Sequence, residues 1–244
     1  MEKIIELKNI YKKFGNKDVL IDISTNIYKG LTHTIIGKSG AGKSVLIKHI
    51  NKLIIPDSGK VYFKGKDISS FNVKELYDLR KKVGFLFQSG ALFDSMNVYE
   101  NLAFPLREHT NDSEKTIKKK VSEKLELVGM PNIEKLSTSE LSGGMRKRVG
   151  LARTIILEPE IIIYDEPTTG LDPIMSDSIN KLIIQMQKTL NITSIVITHD
   201  MKTVNDVSDR VVMISDCRAI FDGERDLFFK QSNSAIQNFI KGIS

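Results

Sequence analysis

One cysteine, Cys217, is all the thiol chemistry that this 244-residue chain holds. A single thiol excludes an intramolecular disulfide framework and a cysteine-rich zinc site. Long hydrophobic runs are also missing. EIIIY and KLIIP are the length of strands or helix ends, far short of the roughly 20 apolar residues that cross a bilayer. The opening MEKIIELKNI places Glu2 and Glu6 where a secretory signal would be apolar, which argues against export. There is no internal repeat, low-complexity linker or sharp shift in composition. Together these absences point to the cytosol.

What remains is ordinary for a globular protein: 41% hydrophobic and 27% charged residues, in a chain long enough for a well-buried core. The net charge of +6 and pI near 9.2 raise the question of an anionic partner. The densest basic runs, Lys118–Lys120 and Arg146–Arg148, are short and lack interleaved stacking aromatics. A lysine-rich surface explains the charge more simply, and nucleic acid is not an expected partner.

Loose alternation in IIELKNIYKKF and VLIDISTNIY, around Gly15, Asn16 and Lys17, predicts two antiparallel strands. LTHTIIG (31–37) reads as a short apolar strand entering a glycine-rich turn. Leu46, Ile47, Ile50 and Leu53 then recur at helical spacing until Pro56. PDSGKVYFKG reads as a turn and strand. Ile117, Val121, Leu125 and Val128 form one stripe ahead of Gly129, predicting a helix over 113–128. EIIIYDEP and SIVITHD are short apolar runs ending in polar residues, the mark of buried parallel strands. The stretch LFQSGALFDSMNVYENLAFPLREH (86–109) fits neither a clean strand nor a clean amphipathic helix.

GKSGAGKS, comprising Gly37, Lys38, Ser39, Gly40, Ala41, Gly42, Lys43 and Ser44, matches G-x-x-x-x-G-K-[ST] between a predicted strand and a predicted helix. Glycines let the backbone wrap phosphate oxygens, and successive N–H groups at a helix start, running on to Val45, form an anion nest. Lys43 is then placed for the β- and γ-phosphates and the Ser44 hydroxyl for Mg²⁺. Asp165 ends the strand IIIYD and is placed to hold the metal's shell. Glu166, one residue on, is the candidate general base for water. His199 ends SIVITH at a strand's carboxyl end, where open α/β sheets put their ligands, and is a candidate γ-phosphate contact. His33, His49 and His109 lack that setting and read as packing or surface residues.

LSGGM (141–145) precedes the helix-like RKRVGLARTII, making Ser142 an N-cap and leaving the N–H groups of Gly143 and Gly144 available. One nucleotide could hardly use both anion cradles within one compact domain. A head-to-tail homodimer resolves this, each LSGGM closing on the phosphate held by the other copy.

In this order, GKSGAGKS, Gln88, LSGGM, IIIYDEP, GLD (170–172) and His199 resemble the nucleotide-binding subunit of an ATP-binding cassette (ABC) transporter over essentially the whole chain. The resemblance implies an α/β fold: a P-loop NTPase (RecA-like) core with an antiparallel β subdomain and an inserted α-helical subdomain. On that pattern residues 1–244 form one ATPase domain. The core and β part take about 1–88 and 156–225, the helical part about 89–155, and a short helical segment 226–244. It implies ATP and Mg²⁺ as ligands, Gln88 reaching the Mg²⁺ and the attacking water, and Asp172 touching the partner copy. An aromatic is expected on the adenine; Phe14 lies 23 residues before Gly37 (37 − 14), and Tyr11 is its rival. Met145 departs from the glutamine usual at that position.

In such subunits the segment after Gln88 forms a groove for a cytoplasmic helix of a membrane permease. Phe93, Met96, Val98 and Tyr99 are then expected to be partly exposed, with Leu92 and Leu102 in the core. QSGALFDSMNVYENLAFPLREHT is more specifically similar to the ATPases of Mla-type phospholipid-trafficking systems. That resemblance implies an MCE-domain lipid-binding partner, a small regulatory subunit and a place on the cytoplasmic face of the inner membrane. The alternative is the same engine on an amino-acid or peptide permease. A cassette acting on DNA or ribosomes would be expected to carry two cassettes or long coiled-coil insertions, and neither is present.

Overall fold

Apolar alternation in the first 28 residues folds into two strands, β1 (Lys3–Phe14) and β2 (Lys17–Tyr28), paired antiparallel up to Phe14 opposite Lys17. In the computed structural model, which describes residues 1–243, the chain then enters β3 (Thr32–Ile36), five residues buried throughout. The helix after it, α1 (Lys43–Lys48), is shorter than the spacing predicts: the chain turns from His49 onward and Leu53 is exposed. β4 (Ser58–Phe63) joins β1, and β5 (Lys66–Asp67) joins β4, completing an antiparallel sheet in the order β2-β1-β4-β5.

Asn72 then caps α2 (Val73–Lys82), with Glu75 returning a bond in a capping box. β6 (Val83–Leu86) follows, then three helices: α3 (Val98–His109), α4 (Glu114–Leu127) and α5 (Gly143–Ile155). α3 is the element that the apolar spacing of 86–109 conceals. Its Asn97 cap accepts from the Glu100 N–H, and Pro105 sits within it. The remaining elements are β7 (Ile161–Asp165), α6 (Pro173–Leu190), β8 (Thr193–Ile197), α7 (Met201–Val207), β9 (Arg210–Ser215), β10 (Arg218–Glu224), α8 (Arg225–Phe229) and α9 (Ser234–Ile240).

The second sheet runs β10-β9-β3-β8-β7-β6, parallel except for β10 at its edge. One apolar cluster joins one face of this sheet to α1 and the antiparallel sheet; another joins the opposite face to α3, α4, α5 and α6. Strands buried on both faces read as continuous apolar runs, which is why IIIYD and SIVI were legible. Among the described residues no helix is long and apolar enough to cross a membrane.

His33, on β3, is fully buried. Its Nε2 accepts from the Tyr28 N–H at 2.8 Å, and burial, reinforced by the Arg210 guanidinium, pushes its pKa down to about 3. The unfolded chain therefore binds a proton between about pH 6.5 and 3 that the folded chain refuses, so stability falls as pH falls through that window. The slope is up to about 1.4 kcal/mol per pH unit. His33→Gln, whose amide oxygen can still accept from Tyr28, should show a shallower loss in denaturant melts between pH 7 and 5. An unchanged slope would remove His33 from the account.

Candidate functional site

Four adjacent parallel strands, β3, β8, β7 and β6, end side by side. With strands about 4.8 Å apart, their carboxyl ends form a row about 14 Å across. Gly37 follows β3, His199 lies just beyond β8, Asp165 ends β7 with Glu166 directly after it, and Gln88 lies just beyond β6. Distant stretches of sequence are thereby brought to one rim, where open α/β sheets place their ligands.

The loop from Gly37 to Ser44 forms one wall. Gly42 adopts φ +95°, and a Cβ there would lie 2.6 Å from the Val19 carbonyl oxygen, so only glycine fits at this turn. It precedes α1 with no side chain capping the helix start, leaving backbone N–H groups free for an anion. Lys43 is 8% exposed and folds back to donate to the carbonyls of Gly37 at 2.8 Å and Lys38 at 3.1 Å. Burial lowers its pKa, while the carboxylates of Glu166 and Asp165 pull it up.

Ser44 Oγ donates to Asp165 Oδ1 at 3.4 Å. Burial, then the neighbouring Glu166, push the Asp165 carboxyl above its usual range, against the pull of Ser44, Lys48 and Lys43. Glu166 has φ +50°, a left-handed conformation that costs a non-glycine residue about 1–2 kcal/mol. The turn has a consequence for direction: successive strand residues point oppositely, yet Asp165 and Glu166 both line the same cavity. The Glu166 carboxylate lies 3.0 Å from His199 Nδ1 and accepts from Thr169 Oγ1 at 2.9 Å.

The cavity has a volume of about 780 Å³. It brings together Lys38, Ser39, Gly40, Gly42, Lys43, Ser44 and Val45 with Gln88, Asp165, Glu166 and His199. Gly37 and Ala41 belong to the loop without lining the cavity. Neither Phe14 nor Tyr11 lines it; Phe14 is 50% exposed with the Lys12 ammonium 5.5 Å from its ring centre, and Tyr11 is 37% exposed. Val19, unnoticed in the sequence, does line it, as does Thr169.

Ser142, Gly143, Gly144 and Asp172 lie outside this cavity. Ser142 caps α5 by accepting from the Met145 N–H at 3.3 Å, and Ser142 and Gly143 are exposed. Met145 packs partly buried on the helical core, and Gly144 abuts Met175. Asp172 caps α6, accepting from the N–H groups of Ile174 and Met175 at 2.9 Å. The basic run after LSGGM (141–145), the signature segment, is not a surface patch. Lys147 is buried, and Arg148 donates to the Val128 carbonyl at 2.6 Å and to Ser178.

Beyond Gln88 the chain is held by two side chains that the sequence did not flag. Asn101, fully buried on α3, accepts from the Phe93 N–H at 2.8 Å and donates to the carbonyls of Phe93, Met96 and Asn97 at 3.0–3.2 Å. Arg153, on α5, donates to the carbonyls of Gly90 and Ala91. Phe93 is 45% exposed, in edge contact with exposed Phe104. Met96 is half-buried, and Leu102 lies in the core as expected, with Leu92 packed against it. Val98 is a correction: as the first residue of α3 it points inward and is fully buried. Tyr99 faces a second cavity with Glu114, Lys115 and Lys118, its hydroxyl donating to Glu114 at 3.3 Å.

Residues 20–169 match the family model described as ABC transporter. The chain belongs to the ABC transporter family. This ABC ATPase is 40% identical over 243 residues to the intermembrane phospholipid transport system ATP-binding protein MlaF of Haemophilus influenzae, covering all of this chain and 92% of that protein. The Escherichia coli K12 MlaF is 37% identical over 241 residues, covering 99% and 90%. A Mycobacterium tuberculosis protein named as a probable ribonucleotide transport ATP-binding protein, mkl, is 40% identical over 238 residues, covering 98% of this chain and 66% of its own length. Among solved structures, cbiO1 from Clostridium perfringens superposes with a TM-score of 0.87 at 32% identity, covering 95% of this chain and 92% of that one. The dimeric post-hydrolysis cassette MJ0796, bound to ADP and Pi, gives 0.82 at 28% identity, covering 91% and 98%. The fold is that of ABC cassettes, and this ABC ATPase is an ATP hydrolase.

Proposed function

We propose that this chain is the ATP-hydrolysing engine of a phospholipid transporter, acting as a homodimer on the cytoplasmic face of the inner membrane. The observation that carries the cargo is the end-to-end match to the MlaF proteins. The mkl match is as high in identity but leaves a third of that protein uncovered, so phospholipid is the better-supported cargo. An MCE-domain lipid-binding protein and a small regulatory subunit complete the complex on this reading.

Each nucleotide is clasped between Gly37–Ser44 of one copy and Ser142–Gly144 of the other. Two features support this pairing: the signature turn, with Ser142 and Gly143 exposed, lies outside its own chain's cavity, and related cassettes are dimers. Ser44, Asp165 and Gln88 offer a hydroxyl, a carboxylate and an amide carbonyl, all hard oxygen donors of the kind that Mg²⁺ takes. When bound, Mg²⁺ would offset charge on the β- and γ-phosphates. Glu166 takes the proton of the attacking water as its oxygen bonds to the γ-phosphorus and the bond to the bridging oxygen of ADP breaks. His199 and Thr169 hold the Glu166 carboxylate, and Lys43 and the other copy's Ser142 meet the developing negative charge. Phe14 or Tyr11 stacks on the adenine, and Asp172 meets the other copy.

Phe93, Met96 and Phe104 form the apolar surface on which the permease helix rests, kept in shape by Asn101 and Arg153. Detergent extraction of the native complex should yield a membrane permease carrying phospholipid; a ribonucleotide as cargo would overturn the assignment. Phe93→Asp puts a charge into that contact and should cut permease recovery at least tenfold, the equivalent of about 1.4 kcal/mol, with ATP binding intact. Recovery at the wild-type level would remove Phe93 from the contact.

A further inference from the structure

Lys147 is a cation in an unusual place. It lies on α5, two residues beyond the signature, and is 5% exposed, yet among the described residues no carboxylate pairs with it. Its ammonium donates to two neutral carbonyls, those of Pro167 and Thr169, each at 2.7 Å. Burial lowers its pKa and the Glu166 carboxylate opposes that fall. A buried ammonium satisfied only by carbonyls is costly, and an apolar side chain would serve packing better. The two carbonyls belong to the turn that carries Glu166, where Thr169 also donates its hydroxyl to Glu166 at 2.9 Å.

We propose that Lys147 is a positioning residue that couples the two hydrolysis sites of the homodimer by tying the signature helix to the turn bearing Glu166. This rests on the paired-chain reading above. Ser142 and Lys147 are five residues apart on one helix, about 7.5 Å along its axis, so a shift of the helix start moves the ammonium with it. Ser142–Gly144 engage the nucleotide held by the other copy, whereas Glu166 acts on the nucleotide held by its own chain. Lys147 spans the gap between them: engagement of one nucleotide sets the place of the base over the other. Phosphate contact in trans thereby becomes a condition for hydrolysis in cis.

The test is steady-state hydrolysis by the full chain carrying Lys147→Met, which keeps length and removes both bonds, and Lys147→Gln, which removes the charge but keeps N–H donors. Misplacement of a base on this scale costs about 10- to 100-fold in kcat. Lys147→Met should show that fall with KM within about twofold, and a Hill coefficient dropping from near 2 toward 1, since two sites set the upper limit. Lys147→Gln should be intermediate in both. A purely structural lysine would lower the melting temperature and leave the Hill coefficient of the folded fraction unchanged. If Lys147→Met fails to fold, Lys147→Gln carries the same comparison. ATP-dependent dimerisation of Glu166→Gln, followed by size-exclusion chromatography, is measured alongside. If that dimer never forms, the paired reading and the coupling fall together. If it forms while the folded Lys147 variants keep wild-type kcat and cooperativity, only the coupling is wrong.

Discussion

Replacing Glu166 with glutamine should lower ATP hydrolysis by roughly 10²–10⁴-fold, the usual contribution of a general base, and leave a stable ATP-bound pair. The substitution is nearly isosteric. Thr169 Oγ1 and His199 can still bond the side chain, and the left-handed turn at φ +50° is undisturbed. What disappears is the acceptor for the water's proton. ATP binding should persist, because the loop, Lys43 and Ser44 are untouched, and the closed pair can no longer clear its nucleotide. Phosphate release and size-exclusion chromatography with ATP read the two effects separately. Wild-type turnover by a contaminant-free variant would take the base role from Glu166.

Lys43→Ala should weaken the site at an earlier step. The ammonium spans the loop between two carbonyls and, on the proposed reading, exchanges them for phosphate oxygens when nucleotide binds. A hydrogen bond to a charged group contributes roughly 1.5–3 kcal/mol, about a 10- to 100-fold loss in ATP affinity. Removal of a donor that stabilises transition-state charge costs about another 10²-fold in kcat. Lys43→Met, which keeps the stem, should behave alike, because the charge matters more than the packing. Titration with a fluorescent nucleotide and steady-state kinetics at saturating ATP distinguish the affinity and rate losses. Unchanged affinity in both variants would place Lys43 away from the phosphates.

The contrast between these residues and Lys147 shows how far the sequence could be read. Gly37–Ser44, Asp165, Glu166 and His199 each follow a short apolar run that ends abruptly in polar residues, so strand and site announce one another. α4 was legible for a similar reason, since a single apolar stripe ends at Gly129. α3 was hidden because Phe104 and Pro105 interrupt its stripe and its Asn97 cap lies in a run without clear period. Val98 differs from its expected exposure for the same cause: without the helix, no period marks it as turning inward. The spacing carries the predicted helix to Leu53, whereas α1 stops at Lys48, since spacing cannot reveal that the backbone turns from His49. Lys147 and Arg153 bond to carbonyls brought close only by packing of α5 against the β7 turn and the segment after Gln88, and Asn101 bonds to carbonyls that the turn into α3 folds back onto it. In the sequence Lys147 sits in a basic run that reads as surface. Carbonyl partners leave no trace in residue type.

The most direct measurement is the structure of the Glu166→Gln variant with Mg·ATP. Two nucleotides are expected, each cradled by Gly37–Ser44 of one copy, with Ser142 Oγ and the Gly144 N–H of the other copy within hydrogen-bond distance of its γ-phosphate. A structure with both nucleotides bound and every Ser142–Gly144 turn facing solvent would contradict the account.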